Sequence, residues 1–531
     1  MNNRRLVKQA VLMLSLISVL SACSNSSNSS DVKSGKETDR PAKKATLKVE
    51  IFDRGNSPSG LTVTNNLLTK YVQDNFGTPN NIDVQFIPVP RSQEVQKLNV
   101  LMASGDDVPD IVFTYDSGTF YRYAQQGGLT DMTELLNQQG PNLKTYLGAE
   151  TLQYGQVEGK QYSLPGKRIF LGKYANYIRK DWLDLLQLPV PKTTDELYTT
   201  LKAFKEKDPG KTGGKTIPFG MTIAPAQYDP LLWSFIKPMT EEQAYTLTQQ
   251  LGSSDYPVLL PGFKDALKYM NKLYNEGLLS KDFGLDKDKK QLSQDTIAGK
   301  VGFFSEDIPN IYDKTDGVYA PLQNNTPSAV LTPVDPFTNS EGKHAKPAYS
   351  PTGLYIMIPK SSKSAAEAVR YLDWMSQKDH LFYMQNGVEG ENFKLVDGLP
   401  VALDTPEAAK RVYNFGDMAI IANGKDLGDS KKNIDIMTTA LPDKYNNDAK
   451  QSFTISLADT ISPKRFDKVI EAEAKYGTTL LEKYKQLLVK TAMVKPDEFD
   501  KTYDSMLEDY LQNGGQAILD ERKTAYAKKG K

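Results

Sequence analysis

The sequence predicts an α/β fold built on a parallel sheet, and two observations support that prediction. Three runs rich in β-branched and other apolar residues, at 46–52, 82–89 and 109–115, alternate with stretches of helical periodicity. The intervals between these runs are long enough to hold a helix, which is the usual connection between parallel strands. We therefore expect a sheet whose faces are covered by helices.

The predicted elements follow one another in a regular order. The first strand, TLKVEIF, ends in the turn-like segment DRGNSPSG, and the helix LLTKYVQDNF leads to the second strand, IDVQFIPV. The helix SQEVQKLNVLMAS and the strand PDIVFTY follow, with a further helix near 121–126. The stretch 175–335 is rich in helices, and Thr193 with Glu196 forms a capping box at the start of one of them. The strand GLYIMIP and the amphipathic helix SAAEAVRYLDWMSQ come next, and charged helices fill the chain from about 465.

The first 22 residues have the organisation of a lipoprotein signal peptide. Basic residues at positions 4, 5 and 8 precede VLMLSLISVL, an apolar run far shorter than the ~20 residues of a membrane-spanning helix. The run ends in LSAC at 20–23, which resembles the lipobox cut by the bacterial lipoprotein signal peptidase. Cys23 is the only cysteine, so we expect it to carry the lipid and to begin the mature protein.

The segment after the predicted cleavage site is polar and lacks an apolar period, so it is not expected to fold by itself. We therefore interpret residues 23–45 as a disordered tether between a lipid anchor at the outer face of the cell membrane and a globular body. With its only cysteine used for lipid, the exported protein has no disulfide, and its stability must come from packing. No second long apolar stretch follows.

Composition narrows the classes of partner. The leader holds three positive charges and no acid, so removing it from a formal net charge of zero leaves about −3. Such a chain has no basic field for phosphates, and nucleic-acid binding is not expected. The 28 tyrosines suit ligands with both hydroxyls and apolar faces, sugars above all. They fit ordinary core and surface positions equally well.

Several chemical motifs are incomplete. The run PGKTGGKT at 209–216 resembles a phosphate loop, but Pro209 stands where the motif needs glycine, and the run follows a helix rather than a strand. The two histidines, His344 and His380, lack a metal-ligand spacing or a thiol partner. We expect no metal, no cofactor and no catalytic set, although 65 acidic residues leave a pair of catalytic carboxylates open.

Polar residues that follow the three predicted strands are candidate ligand contacts, because ligands bind beyond the carboxyl ends of parallel strands. The residues are Asp53, Arg54 and Asn56 after the first strand, Arg91 after the second, and Tyr115 and Asp116 after the third. Asp53 and Arg54 could contact a ligand or form a salt bridge within the turn. Arg91 could bind a sugar carboxylate through two hydrogen bonds or pair with an acid of the protein. For Tyr115 and Asp116 we favour ligand contact.

Three tryptophans are considered as stacking platforms for a ligand. Trp233, in LLWSF, is suited either to a platform or to a core position. Trp182 and Trp374 lie in helical frames with apolar neighbours, so we expect them to pack in the core.

Five longer phrases resemble, in order, the family-1 extracellular solute-binding proteins of ABC importers. They are VPDIVFTYDSGTFYRYAQQGGLTDMTELL, VEGKQYSLP, YIRKDWLDLLQLPVPKTTDELYTTLKAFKEKDP, AGKVGFF and EAVRYLDWMSQ. The likeness runs from about residue 46 to the C-terminus. With FDRGN and VPRSQEVQKLNVLMAS it is most similar to large Gram-positive lipoproteins, including a branch similar to alginate- and oligosaccharide-binding proteins.

The resemblance implies a two-lobed, periplasmic-binding-protein-like α/β fold of type II, with a ligand cleft between lobes that close about a hinge. It implies hinge segments near 160–175 and 330–355, and places Arg168, Glu306 and Asp335 near the hinge. The implied divisions are a leader (1–22), a tether (23–45), a first lobe (46–165), a helix-rich second lobe (166–335) and a return through the hinge that completes both lobes (336–531).

The function implied by the resemblance is a lipid-anchored, monomeric receptor that captures an oligosaccharide, neutral or acidic, for ABC permease subunits. No bond is made or broken in that reading. Two alternatives stay open, namely a secreted carbohydrate-active enzyme with a pair of catalytic acids, and a sensory binding protein coupled to a membrane kinase.

Many relatives of this type carry a loop resembling a calcium site, of the form DPNGNGKKDEIP, at the position of 208–218. This chain keeps Asp208 but has Gly210 and Thr212 in place of asparagines, and Thr216 where acids are expected. One carboxylate is too few for a typical calcium site. We therefore expect an open, solvated loop.

Overall fold

Two β-sheets form the framework of the molecule. The structure, a computed structural model, describes residues 44–105, 108–251, 254–463, 465 and 469–528. The predicted leader, Cys23 and the predicted tether up to residue 43 lie outside these ranges. The strands of the two sheets, in chain order, are β1 (Ala45–Asp53), β2 (Ile82–Pro90), β3 (Val112–Thr114), β4 (Ser163–Arg168), β5 (Tyr174–Arg179), β6 (Ile217–Gly220), β7 (Val301–Asp307), β8 (Leu331–Val334), β9 (Thr352–Met357) and β10 (Ala422–Asn423).

The sheet of the first lobe has the order β2-β1-β3-β9-β4-β10. β1 pairs with β2 in parallel, and a bridge between Val49 and Ile111 joins β1 to β3, also in parallel. The predicted parallel arrangement of the three N-terminal strands is therefore confirmed. β9 runs antiparallel to both β3 and β4, a direction that local sequence does not show because this strand enters from the other lobe.

Helices cover both faces of the first sheet. The core on one face includes Leu47, Val49 and Ile51 of β1, which are almost completely buried. The helices of this lobe are Leu67–Val72, Glu94–Ser104, Ser117–Gln125, Thr133–Gln139, Pro141–Leu152, Ala365–Met375, Lys378–Asn386, Pro406–Arg411 and Phe415–Met418. A π-helical turn, Gln73–Gly77, extends the first of them.

The sheet of the second lobe has the order β8-β5-β7-β6. β5 is antiparallel to both β7 and β8, whereas β6 and β7 are parallel. The helices of this lobe are Lys180–Leu186, Thr194–Lys207, Pro225–Ser234, Glu241–Leu247, Phe263–Asn275, Lys290–Ile297, Tyr319–Asn325, Asn446–Leu457, Glu471–Met493, Phe499–Tyr510 and Gln516–Ala527. The last three pack against the rest of the lobe in one large apolar core.

The helix Thr194–Lys207 begins where the sequence predicts, with half of the predicted capping box. The Thr193 side chain accepts a hydrogen bond from the Glu196 N–H at 3.2 Å. The Glu196 carboxylate accepts from the Lys192 N–H at 2.7 Å instead of returning to Thr193. The backbone of Lys192, one residue before the cap, is therefore also hydrogen-bonded to the first turn of the helix.

Within the described residues, the chain passes between the two sheets through residues 169–173, 335–351 and 424–445. The last passage contains a helix, Ser430–Thr438. Hydrogen bonds join the first two passages, since the Tyr349 N–H donates to the Leu171 carbonyl at 2.8 Å. Four two-stranded ribbons complete the fold: Gln156–Val157 with Lys160–Gln161, Gln249–Leu251 with Ser254–Tyr256, Lys346–Pro347 with Thr460–Ile461, and Phe393–Val396 with Leu399–Ala402. Within the described part of the chain, no helix is both long enough and apolar enough to cross a membrane.

Candidate functional site

A cavity of about 270 Å³ lies between the two lobes and is lined by both of them and by the segments that connect them. Eight aromatic side chains contribute to its wall, together with charged and polar groups. Such a wall can hold a ligand by ring stacking and orient it by hydrogen bonds. The aromatic residues of the lining are Tyr115, Tyr121, Tyr154, Tyr174, Trp233, Tyr256, Tyr349 and Tyr355.

Two cations approach the same tyrosine ring on the connecting segments. The guanidinium carbon of Arg168 lies 4.4 Å from the centre of the Tyr349 ring, and Lys173 Nζ lies 5.0 Å from it. Arg168 Nε also donates to the Ser350 carbonyl at 3.2 Å. Burial lowers the pKa of both cations, and the charge of Arg168 lowers that of Lys173 further.

Asp229 supplies a carboxyl to the opposite wall, from the helix Pro225–Ser234. Burial raises the pKa of Asp229 to about 7, against the opposing influence of the Lys173 charge and the Tyr174 hydroxyl. This carboxyl therefore exchanges its proton near neutral pH, unlike an exposed aspartate.

The ribbon Gln249–Leu251 with Ser254–Tyr256 brings Gln250, Asp255 and Tyr256 to the cavity. The ribbon is held from behind by the C-terminal helices. The buried Gln249 side chain accepts from the Tyr510 hydroxyl at 3.0 Å. The polar wall formed by this ribbon is thus held in place by residues, such as Tyr510, that do not themselves line the cavity.

Tyr115 forms the edge of the cavity on the first lobe, at the end of β3. The Arg91 guanidinium stacks over its ring, with the carbon 4.6 Å from the ring centre. Arg91 Nη1 is paired with the Glu94 carboxylate at 2.7 Å, and Glu94 Oε1 accepts from the Tyr115 N–H at 3.2 Å. Arg91 and Glu94 therefore fix the position of the Tyr115 ring and backbone together.

A family model described as bacterial extracellular solute-binding protein matches residues 62–380. The chain belongs to that family. The lipoprotein LipO of Bacillus subtilis (strain 168) is 29% identical over 367 residues, which cover 66% of this chain and 67% of LipO. The polygalacturonan/rhamnogalacturonan-binding protein YtcQ of the same organism is 28% identical over 321 residues, 59% of this chain and 61% of YtcQ.

Solved structures support the architecture of this solute-binding protein. The alginate-binding protein AlgQ2, in a crystal structure without calcium ion, superposes with a TM-score of 0.56 at 20% sequence identity. The superposition covers 92% of this chain and 99% of AlgQ2. The predicted two-lobed α/β fold is confirmed, and at this identity the likeness concerns the fold alone.

Three of the ten predicted ligand contacts of this solute-binding protein line the cavity, namely Tyr115, Arg168 and Trp233. Asp116 lies beside Tyr115 but is turned to the backbone, where its carboxylate accepts from the Thr119 N–H at 2.6 Å. It caps the helix that begins at Ser117. The other six lie outside the cavity lining.

The turn after β1 is held by its own contacts. Arg54 makes a two-point ion pair with Asp417, at 2.7 and 2.8 Å. Asp53 accepts from the Gly55 N–H at 2.8 Å, and Asn56 is exposed. The predicted alternative of a salt bridge applies to Arg54, but its acid comes from a distant helix instead of the turn.

Glu306 and Asp335 are both paired with lysines. Glu306 contacts Lys289 Nζ at 2.5 Å and accepts from the Gln227 side chain at 3.0 Å. Asp335, in the second passage between the lobes, pairs at 2.8 Å with Lys346, whose side chain is only 3% exposed. Asp335 thus ties two points of one connecting segment together.

Trp233 is a core residue and a cavity residue at once. It is 4% exposed and packs in the main core of the second lobe. Its indole Nε1 is buried and has no hydrogen-bond partner among the residues that the structure describes. Trp182 and Trp374 are buried in apolar clusters, as the sequence predicts.

Sequence reasoning missed Lys173, Asp229 and Tyr349. A weak signal for the first exists, because Arg168 and Lys173 stand at the two ends of the apolar run IFLG inside a predicted hinge segment. Asp229 is a single acid in the otherwise apolar segment PAQYDPLLW. Nothing local distinguishes Tyr349 from the other tyrosines.

The loop at 208–218 is closed on itself. Asp208 Oδ1 accepts hydrogen bonds from the N–H and the hydroxyl of Thr212, at 3.0 and 2.7 Å, and from the Thr216 hydroxyl. Asp208 Oδ2 accepts from the Gly214 N–H at 3.1 Å. Burial alone would raise the pKa of Asp208, but these hydrogen bonds outweigh it and lower the pKa. The described residues contain no cluster of three or more His, Cys, Asp or Glu side chains suited to a metal.

Proposed function

We propose that this solute-binding protein captures an oligosaccharide outside the cell and delivers it to the permease subunits of an ABC importer. The observation that carries the proposal is the cavity between the lobes, whose wall combines seven tyrosines and Trp233 with hydrogen-bonding groups. A sugar ring offers apolar C–H faces and a belt of hydroxyls, so aromatic rings with polar edges suit it.

The relatives support a carbohydrate ligand. YtcQ is named for polygalacturonan and rhamnogalacturonan, and AlgQ2 is named for alginate. The match to YtcQ covers 61% of its length, so its ligand is not transferred directly. The proposal of a sugar rests on the cavity, and these names agree with it.

We assign the direct ligand contacts to Tyr115, Arg168 and Trp233, with the other predicted residues in supporting positions. Arg91 orients the Tyr115 ring by stacking on it. The remaining predicted residues shape the rim of the first lobe or the segments near the hinge: Asp53, Arg54, Asn56, Asp116, Glu306 and Asp335.

Ligand binding is proposed to close the two lobes by a hinge motion, and the closed form is the one that the permease recognises. The passages at 169–173 and 335–351 fall inside the predicted hinge segments, and 424–445 is a third passage that the sequence did not suggest. Because Tyr349 and Lys173 belong to these passages, a ligand that contacts them acts on the hinge directly.

The protein is proposed to be a monomer anchored to the outer face of the membrane through lipid on Cys23. Labelled palmitate should be incorporated into the protein in cells and should be lost in the variant Cys23→Ser. An unlabelled wild-type protein would contradict the anchor without affecting the proposed ligand.

The ligand proposal is tested by a thermal-shift screen of the purified protein against neutral and acidic oligosaccharides, followed by chemical analysis of each bound sugar. A true ligand at a hundredfold excess over its dissociation constant stabilises the protein by about 2.7 kcal/mol. We expect a saturable shift with the sugar recovered intact. A sugar that is shortened during the assay would show that the protein is an enzyme. If none of the sugars shifted the melting temperature, carbohydrate would be removed as the ligand class.

A further inference from the structure

We infer that the ligand carries a carboxylate, and that Arg168 and Lys173 bind it together beside the Tyr349 ring. The substrate class is then an acidic oligosaccharide that contains uronate units. This inference rests on the proposed carbohydrate function and narrows it.

The two cations lie close to the same aromatic side chain. Both face one tyrosine ring, at 4.4 and 5.0 Å from its centre, and both belong to the short connection between β4 and β5 or its edge. Both also line the cavity. A ligand group that enters the cavity beside this ring therefore meets the charges of both side chains.

Neither cation forms an ion pair with an acid anywhere in the part of the chain that is described. Only Nε of Arg168 is used, by the Ser350 carbonyl, which leaves the donors of its two terminal amino groups. Arg91 and Lys167 differ in this respect. Arg91 is paired with Glu94, and Lys167, next to Arg168 on β4, contacts Asp426 at 3.8 Å.

The acids that face Lys173 are Asp229, Asp255 and Asp307. Asp307 Oδ2 forms an ion pair with Lys289 Nζ at 3.4 Å. Asp229 has a pKa raised to about 7 by burial, so part of its population is neutral at physiological pH. Asp255 accepts from the Gln250 side chain at 3.5 Å and has further contacts. These acids attract Lys173 without forming an ion pair with it. Among the described residues, the positive charge of Arg168 has no such acid near it.

Two like charges held near each other in a mostly buried site destabilise the empty site, and an anion that enters relieves that cost. A carboxylate matches the planar fork of a guanidinium, since two parallel hydrogen bonds form.

The test compares uronate oligomers with the methyl esters of the same oligomers, which have the same ring and linkage but no charge. Galacturonate, glucuronate and mannuronate series are titrated calorimetrically into the purified wild-type protein and into the variants Arg168→Met and Lys173→Met. We expect at least one acid to bind ten times more tightly than its ester. Each variant should lose that preference.

Lys167→Met is the matched control, because Lys167 lies next to Arg168, stacks on the Tyr146 ring at 4.8 Å and does not line the cavity. It should keep the preference for the acid. Thermal unfolding of the ligand-free proteins provides a second measurement. Because the charge of Arg168 has no acid beside it among the described residues and repels Lys173, the Arg168 variant should melt at or above the temperature of the wild type, which separates lost binding from lost folding.

Equal affinity for acids and esters, or tight binding of neutral sugars only, would overturn the inference while the proposed oligosaccharide function stands. A preference for sulfated over carboxylated sugars would also overturn it, because the preferred acidic group would then not be a carboxylate. Binding of no sugar of any kind would remove the proposed function and this inference with it.

Discussion

Arg522 Nε donates to Glu473 Oε1 over 2.8 Å, and the Gln250 N–H donates to the same oxygen at 3.0 Å. Arg522 is completely buried and lies on the last helix, whereas Gln250 lines the cavity. One carboxylate oxygen thus connects the C-terminal helices to the wall of the ligand site. Both partners of the ion pair lie beyond residue 380, where the match to the family model ends.

Replacing Arg522 by Met should lower the free energy of unfolding by about 3–5 kcal/mol, because it leaves Glu473 buried without its partner. The double variant Arg522→Met with Glu473→Gln should recover much of that loss. Urea unfolding measures both. Lys180→Met, which removes an exposed pair with Asp184, is the control and should change stability by less than about 1 kcal/mol. Equal stabilities for wild type and Arg522→Met would contradict the prediction.

Glu50 in β1 makes stability depend on pH. Its side chain is 1% exposed, and burial raises its pKa to about 8. Between the unfolded pKa of about 4.5 and this value the folded state holds a proton that the unfolded state has lost. The contribution of Glu50 to stability is therefore complete below about pH 4.5 and is lost as the pH rises towards 8.

The variant Glu50→Gln should match the wild type near pH 4.5 and be more stable near pH 8, by an amount on the order of 3 kcal/mol. Chemical unfolding at a series of pH values measures the difference. Two curves that stay parallel over that range would show that Glu50 ionises normally.

Trp233 should matter for binding more than for folding. The variant Trp233→Phe keeps an aromatic ring in the core and removes an indole N–H that has no partner among the described residues. We expect its free energy of unfolding to stay within about 1 kcal/mol of the wild type, and its affinity for the sugar to fall roughly tenfold, as for one lost hydrogen bond. Calorimetric titration and urea unfolding measure the two effects.

Trp182→Phe is the counterpart of that variant, because Trp182 packs edge-on against Phe204 in the same lobe and does not line the cavity. It should lose stability by about 1–3 kcal/mol through the space it leaves and keep its affinity for the sugar. The reverse pattern in the two variants would place the ligand elsewhere.

Calcium should not stabilise this protein. The carboxylate oxygens of Asp208 already accept hydrogen bonds from the N–H and hydroxyl of Thr212, from the Thr216 hydroxyl and from the Gly214 N–H. Melting temperatures in excess calcium and in excess chelator should agree. Thr216→Val should lower the melting temperature by about 2 °C, the effect of one hydrogen bond in a large domain. A rise in melting temperature with calcium would show that the loop opens to bind it.

Local patterns predicted much of the first lobe and little of the cavity. The strands β1 and β2 follow from apolar periodicity, which acts over a few residues. The helix Ser117–Gln125 covers most of the stretch predicted near 121–126, whereas its cap residue, Asp116, is predicted from the sequence as a ligand contact instead. The pair Arg91 with Glu94 is also local, three residues apart on the chain. These interactions leave a signal that a single sequence can show.

The remaining features depend on residues that meet only in the folded chain. Arg54 and Asp417 are 363 positions apart, and many other acids in the chain could have matched the same arginine. Arg168 and Tyr349 meet because two passages between the lobes are hydrogen-bonded to each other. The direction of β9 is set in the same way, by the lobe from which the chain returns.

The order of strands in the first sheet also constrains how the molecule can be made and divided. β9 lies between β3 and β4, so synthesis must pass through residues 174–334 before the centre of the first sheet exists. The core of the second lobe is likewise incomplete until its last three helices have been synthesised. Neither lobe is a continuous piece of chain, because the first sheet takes strands from both sides of residues 174–334 and the second lobe takes its last three helices from beyond residue 470. We therefore expect folding outside the membrane to be completed only after nearly the whole chain has been exported. Both lobes should then reach their final packing together.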